Sequence, residues 1–115
     1  MNISILYGGN STEHKISIQT GLAVAEAIKD RYHLDMINPE AEIYNTPQLL
    51  LGADLVFNAL HGGDGENGQI QAFLDLHHIP YTGSGSKACK IAMDKNITKL
   101  IAKSVNIPIP NWILL

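Results

Sequence analysis

The chain has 115 residues, 45% of them apolar and 17% charged, with eight Lys and Arg against eleven Asp and Glu, for a net charge of −3. Those values fit one globular domain and exclude the broad basic footprint of a protein that coats nucleic acid or an anionic membrane. Cys89 is the single cysteine, so no intramolecular disulfide can form, and a reducing compartment is favoured.

The first residues carry neither the basic region nor the apolar length of a signal peptide. No run approaches the ~18 consecutive apolar residues of a membrane span. A soluble, cytoplasmic protein is expected. Ile3, Ile5 and Leu6 form a β-rich run that stops at Gly8–Gly9, which predicts a buried strand over 2–7 entering a tight turn. From Ile16 apolar residues recur at Thr20 (weakly), Ala23, Val24, Ala27 and Ile28, a stripe that predicts a helix over about 15–29. A second strand is expected at 32–37, closed by Asn38–Pro39. Residues 39–53 show little periodicity and receive no element.

Residues 54–60, DLVFNAL, read as a strand covered on both faces. It empties into HGGDGENG at 61–68. Ile70, Phe73, Leu74 and His77 then mark one helical face, and Ile79–Tyr81 suggests a short strand before Gly83-Ser84-Gly85. Helices are expected at 86–93 and 95–104, with Asp94 as N-cap of the second. This order implies an α/β fold, a Rossmann-like parallel sheet flanked by helices. Residues 112–115 are apolar and strand-like with no cap or polar tail, and suggest a chain that continues beyond Leu115.

Eight of the ten glycines fall into three clusters, at 8–9, 62–68 and 83–85, and each follows an expected strand. The carboxyl ends of parallel strands and the amino ends of the following helices share one sheet edge, where backbone N–H groups can receive an anion. Tight strand-to-helix turns would use glycine equally well. GSGSKA at 83–88 satisfies a G-x-G-x-x-A pattern, but the preceding strand is short and no acid lies ~20 residues on, so dinucleotide binding is rejected. No cluster completes a phosphate-binding P-loop either.

Glu13, at the entrance of the first helix, could simply complement the helix dipole, an effect of ~0.3–1 kcal/mol. It could also place a carboxylate at the ligand edge to accept hydrogen bonds from an ammonium group or to orient a catalytic hydroxyl. His61 ends a strand beside glycines, an unusual place for a core histidine. His77 and His78 are adjacent and face different ways, which makes a poor metal site. Lys87, Lys90, Lys95 and Lys99 read mostly as solvated surface, with Lys95 near a helix start where a phosphate could be reached.

Four segments carry a resemblance. Residues 5–17, ILYGGNSTEHKIS, resemble a family's opening strand and GG-x-S-x-E-x-x-[IV]-S loop, and HGGDGENG at 61–68 fits its HG-x-x-GE-[DN]-G signature. PYTGSG at 80–85 and MDK at 93–95 are similar to two further landmarks. The chain thus resembles the N-terminal part of the D-alanine–D-alanine ligases, ATP-grasp enzymes of peptidoglycan precursor synthesis. The likeness runs along the whole chain but over only about the first third of the family's length.

The resemblance implies a biotin-carboxylase-like N-terminal domain, the pre-ATP-grasp domain, over 1–93, and the start of the central ATP-grasp domain over 94–115. It implies ATP and Mg as cofactors of the longer parent, an acyl phosphate formed on a first D-alanine, and attack on it by a second. Glu13 would meet the ammonium of the first D-alanine, and His61 with Gly62 would face that substrate. Ile16 would line its methyl pocket, and Lys95 would lean toward the ATP phosphates. The remaining catalytic groups would lie beyond residue 115, so the chain alone is expected to be inactive. Its implied partners are D-alanine, the rest of the ligase chain and a second copy in a homodimer. The alternative from the residues themselves is a stand-alone, non-catalytic α/β module that binds a small anion or a protein partner.

Overall fold

A computed structural model describes residues 1–39 and 43–114. Residues 40–42, inside the stretch that receives no element, and Leu115, the end of the expected terminal run, lie outside the described residues. Three parallel strands form the sheet in the order β2-β1-β3: β1 (Asn2–Leu6), β2 (His33–Ile37) and β3 (Leu55–Asn58). Ile3 pairs with Leu34 on one side and Leu55 on the other, and Leu6 with Ile37 and Asn58.

The helices are α1 (His14–Ile28), α2 (Gln69–Leu76), α3 (Ser86–Met93) and α4 (Lys95–Ser104). Strand side chains alternate between faces, and here the alternation separates two cores. Ile3, Ile5 and Ala59 pack with Tyr7, Leu34, Met36, Leu55 and Phe57 against Val24, Ala25 and Ile28 of α1. Leu6 and Val56 pack on the opposite face with Ile70, Phe73 and Leu74 of α2. That core is completed by Ile43, Leu50 and Ile79. A sheet covered on both faces explains why β1 is wholly apolar in its interior except for Ser4, which is also buried.

Four expectations need correction. The expected stripe of α1 is only in part its packed face: Val24 and Ile28 lie against the sheet, whereas Ile16, Ala23 and Ala27 are exposed. Ser17 and Gly21 are its buried residues, and Ile16 is 51% exposed. The cause is close approach: a Cβ on Gly21 would stand 2.5 Å from the Tyr7 Cβ, so α1 comes nearest the sheet through small residues, with Val24 and Ile28 packed beside them.

The expected strand at Ile79–Tyr81 reduces to one bridge between Tyr81 and Val56. The Val56 N–H donates to the Pro80 carbonyl at 2.8 Å and the Thr82 N–H to Val56 at 3.0 Å. Asn58 N–H then finds the Thr82 hydroxyl at 3.1 Å in place of a backbone acceptor. Pro80 contributes no ladder donor, and the pairing stops.

Residues 39–53 carry two short 3-10 turns, Ile43–Asn45 and Pro47–Leu49, which deliver Ile43 and Leu50 to the core. Finally, residues 112–114 form no strand, and Ile113 and Leu114 are exposed. Trp112 folds back on α4 instead, its indole N–H donating to Asn96 at 2.9 Å with the Lys99 ammonium 5.5 Å from the ring centroid. Asp94 caps α4 as expected, accepting from the Asn96 and Ile97 amides at 3.0 and 2.9 Å.

Candidate functional site

In chain order β1 leads through α1 to β2 on one side, whereas β3 lies on the other side of β1. The direction of winding therefore reverses between β1 and β3, and the crevice outside their carboxyl ends is where open α/β sheets receive ligands. A cavity of about 200 Å³ occupies that crevice, walled by Gly8 to Ser11 after β1 and Leu60 to Gly65 after β3. Ile43, Tyr44 and Ile70 add an apolar side. Two of the three glycine clusters thus meet there. The third does not: Gly83 and Gly85 border a shallower groove with Asp75 and Tyr81.

Several side chains hold the two loops in register. Ser11 donates its hydroxyl proton to the His61 carbonyl, fifty residues away in sequence, and accepts from the Glu13 N–H at 3.1 Å. Ser17, buried in α1, accepts from Gly8 N–H and donates to the Ala59 carbonyl, both at 2.8 Å. The Gly65 carbonyl receives two amides, from Asn58 at 2.9 Å and Gln71 at 2.8 Å, which uses both of its lone pairs.

Glu13 precedes α1 at the N-cap position but makes no capping hydrogen bond through its side chain. Its carboxylate instead reaches across to the opposite loop, where Oε2 would lie 2.6 Å from a Cβ on Gly62. Gly62 has φ +68°, a conformation L side chains rarely adopt, so both its backbone and its neighbour require glycine. His61 stands beside it, its side chain 35% exposed, with Nε2 3.0 Å from the Thr20 hydroxyl and Nδ1 4.0 Å from the Glu66 carboxylate. Ile16 is spaced three residues from Glu13 and four from Thr20, which puts these three on one side of α1. The structure therefore gathers Glu13, His61 and Gly62, with Ile16 half-exposed on the same side of the helix.

Lys95 is not part of this group. It opens α4, is exposed, and does not line the cavity. Tyr44, from the first 3-10 turn, donates to Asp64 at 3.2 Å. Burial, followed by the charge and hydrogen bond of Asp64, pushes its phenol up to about 12. Tyr81 is likewise pushed up to about 12, by burial and then by its 2.8 Å hydrogen bond to Asp75 and the charges of Asp75 and Cys89.

Residues 36–84 match the family model described as the D-ala D-ala ligase N-terminus. The D-alanine–D-alanine ligase of Coprothermobacter proteolyticus is 42% identical over 114 residues, which cover 98% of this chain and 38% of that protein. The crystal structure of the Bacillus anthracis D-alanine–D-alanine ligase complexed with ATP superposes with a TM-score of 0.90 at 36% identity, over 98% of this chain and 37% of that one. Along nearly its whole length the chain is similar to the N-terminal part of D-alanine–D-alanine ligases. It spans little more than a third of the length of the ligases it matches.

Within this ligase-like N-terminal domain, Thr20 and Tyr44 carried no functional signal in the sequence. Thr20 passes for a weak member of an apolar stripe, and Tyr44 sits where no periodicity guides assignment, whereas Ser11 and Ser17 are fixed positions of the GG-x-S-x-E-x-x-[IV]-S loop.

Proposed function

We propose that this chain supplies the first-amino-acid half of the active site of an ATP-dependent ligase that joins D-alanine to D-alanine. The observation that carries the proposal is the juxtaposition of Glu13 with the His61–Gly62 loop at the sheet's switch point, in a chain about 40% identical to ligases of that name. D-Alanine is a zwitterion with a methyl side chain. The Glu13 carboxylate suits its ammonium through a charge-assisted hydrogen bond, a protonated His61 suits its carboxylate, and Ile16 offers apolar contact to its methyl group.

The same proposal assigns 1–93 to the pre-ATP-grasp domain and 94–115 to the start of the central domain. Its partners are D-alanine, the rest of the ligase and a second copy of the chain. Magnesium requires several oxygen ligands converging at about 2.0–2.1 Å. Among the described residues no group of three or more His, Cys, Asp or Glu side chains could hold a metal ion. Lys95, exposed at the start of α4, is the one residue assigned here to lean toward the ATP phosphates, which the remainder of the ligase would hold. ATP and magnesium are assigned to the remainder of the longer ligase, and the 115 residues alone are inactive on this proposal. Among the described residues no helix is long and apolar enough to cross a membrane.

The test is a chimera in which residues 1–115 replace the matching N-terminal segment of the Bacillus anthracis ligase. D-Alanine-dependent phosphate release by the chimera, and none by the 115-residue chain, is the expected outcome. A folded chimera without activity contradicts the proposal, as does turnover by the chain alone.

A further inference from the structure

The Thr20 hydroxyl has one proton and two polar neighbours. It lies 3.1 Å from the Ile16 carbonyl oxygen and 3.0 Å from His61 Nε2. A carbonyl can only accept, so the hydroxyl proton goes to Ile16, the back-bond that a helical threonine readily makes. Thr20 then meets the imidazole with a lone pair. That contact is a hydrogen bond only when Nε2 carries the ring proton, because the other neutral tautomer would ask one hydroxyl proton to serve two acceptors. On the far side of the ring, Nδ1 and the Glu66 carboxylate are 4.0 Å apart, too far for a hydrogen bond that could reverse the preference.

We infer that Thr20 is a positioning residue: it holds His61 as the Nε2–H tautomer and leaves Nδ1 as the ring nitrogen that meets a ligand. In the neutral ring Nδ1 is an acceptor. Protonation converts it into a donor while the Nε2–H to Thr20 bond is kept, so the ring needs no reorientation to face a carboxylate. The tautomer rests on the geometry alone. Its consequence for D-alanine rests on the function proposed above.

The test is heteronuclear NMR of the imidazole nitrogens in the wild-type chain, Thr20→Val and Thr20→Ser, each with and without D-alanine. Neutral His61 should show two widely separated nitrogen resonances with the proton on Nε2. Thr20→Ser should keep that pattern. Thr20→Val should shift both resonances toward the tautomer average while the amide spectrum stays folded. Thr20→Ala removes the hydroxyl without added bulk and gives the same readout where valine perturbs the helix. D-Alanine should move Nδ1 more than Nε2 in the wild type. A proton on Nδ1 in the wild type, or variants lacking the hydroxyl that match the wild type, overturns the positioning role. A fixed Nε2–H tautomer whose Nδ1 ignores D-alanine overturns the substrate assignment and leaves the role of Thr20 standing.

Discussion

Ser17 accepts the Gly8 amide at 2.8 Å while it donates to the Ala59 carbonyl at 2.8 Å, so one buried hydroxyl ties α1 to the carboxyl ends of both β1 and β3. The site depends on this tie. Glu13 sits four residues before Ser17, and its reach across to Gly62 is set by where α1 begins.

Ser17→Ala strips a partner from two backbone groups at once, and each buried polar group left unsatisfied costs about 1–3 kcal/mol. The variant should therefore lose at least that much in urea denaturation, more than an exposed serine would. A loss below about 0.5 kcal/mol, the size of an ordinary surface substitution, would mean that water replaces both bonds.

Gly62→Ala places a Cβ 2.6 Å from Glu13 Oε2 at a backbone φ of +68°. With ψ at 175° this is the positive-φ extended region, essentially reserved to glycine, and it alone costs roughly 1–3 kcal/mol for a residue with a side chain; the carboxylate must also swing away. Glu13→Ala removes the clash but not the strain. The double mutant should be less destabilised than the two single changes added together, by about 0.5–1 kcal/mol as expected for residues in contact. Strict additivity in denaturation experiments would place the two residues apart.

Tyr44 and Tyr81 bear on stability at alkaline pH. Both phenols are pushed up to about 12 in the folded chain, from the 10.0 of an ordinary tyrosine. A raised folded pKa means that the folded state favours the neutral, donating phenol. The stability this contributes is complete below pH 10 and is lost as pH climbs from there through about 12. Tyr44→Phe and Tyr81→Phe should each flatten the fall in stability over that interval, and absorbance titration should show one fewer late-ionising phenol in each. Wild-type phenols that all ionise near 10 would contradict the Asp64 and Asp75 pairings.

Much of this arrangement was legible from sequence because strong local signals coincide with it. β1 is a β-rich run ended by two glycines, α2 has a face of Ile70, Phe73 and Leu74 that is buried as the spacing implies, and Asp94 caps α4. The HGGDGENG loop announced the crevice. The orientation of α1 was not legible because hydrophobic periodicity presumes that the buried face is the large apolar one. Here tight contact at Gly21 and a hydroxyl tie at Ser17 rotate that face, keeping Val24 and Ile28 on the sheet and leaving Ile16 exposed. Tyr44 escaped because a 3-10 turn has too few residues to show a period. The bridge at Tyr81 and the return of Trp112 to α4 depend on partners distant in sequence, and no local pattern encodes them.

Kinetics of the chimera carrying Glu13→Gln test the central claim most directly. Losing a hydrogen bond to a charged group costs about 1.5–3 kcal/mol, or roughly ten- to a hundredfold in apparent affinity. The KM for the first D-alanine should rise by about that factor. The KM for ATP should change little, and the melting temperature should stay within a few degrees, since an exposed loop-edge carboxylate buries little apolar area. An unchanged KM for D-alanine beside a small loss of stability would make Glu13 a complement to the helix dipole and contradict its place in the substrate site.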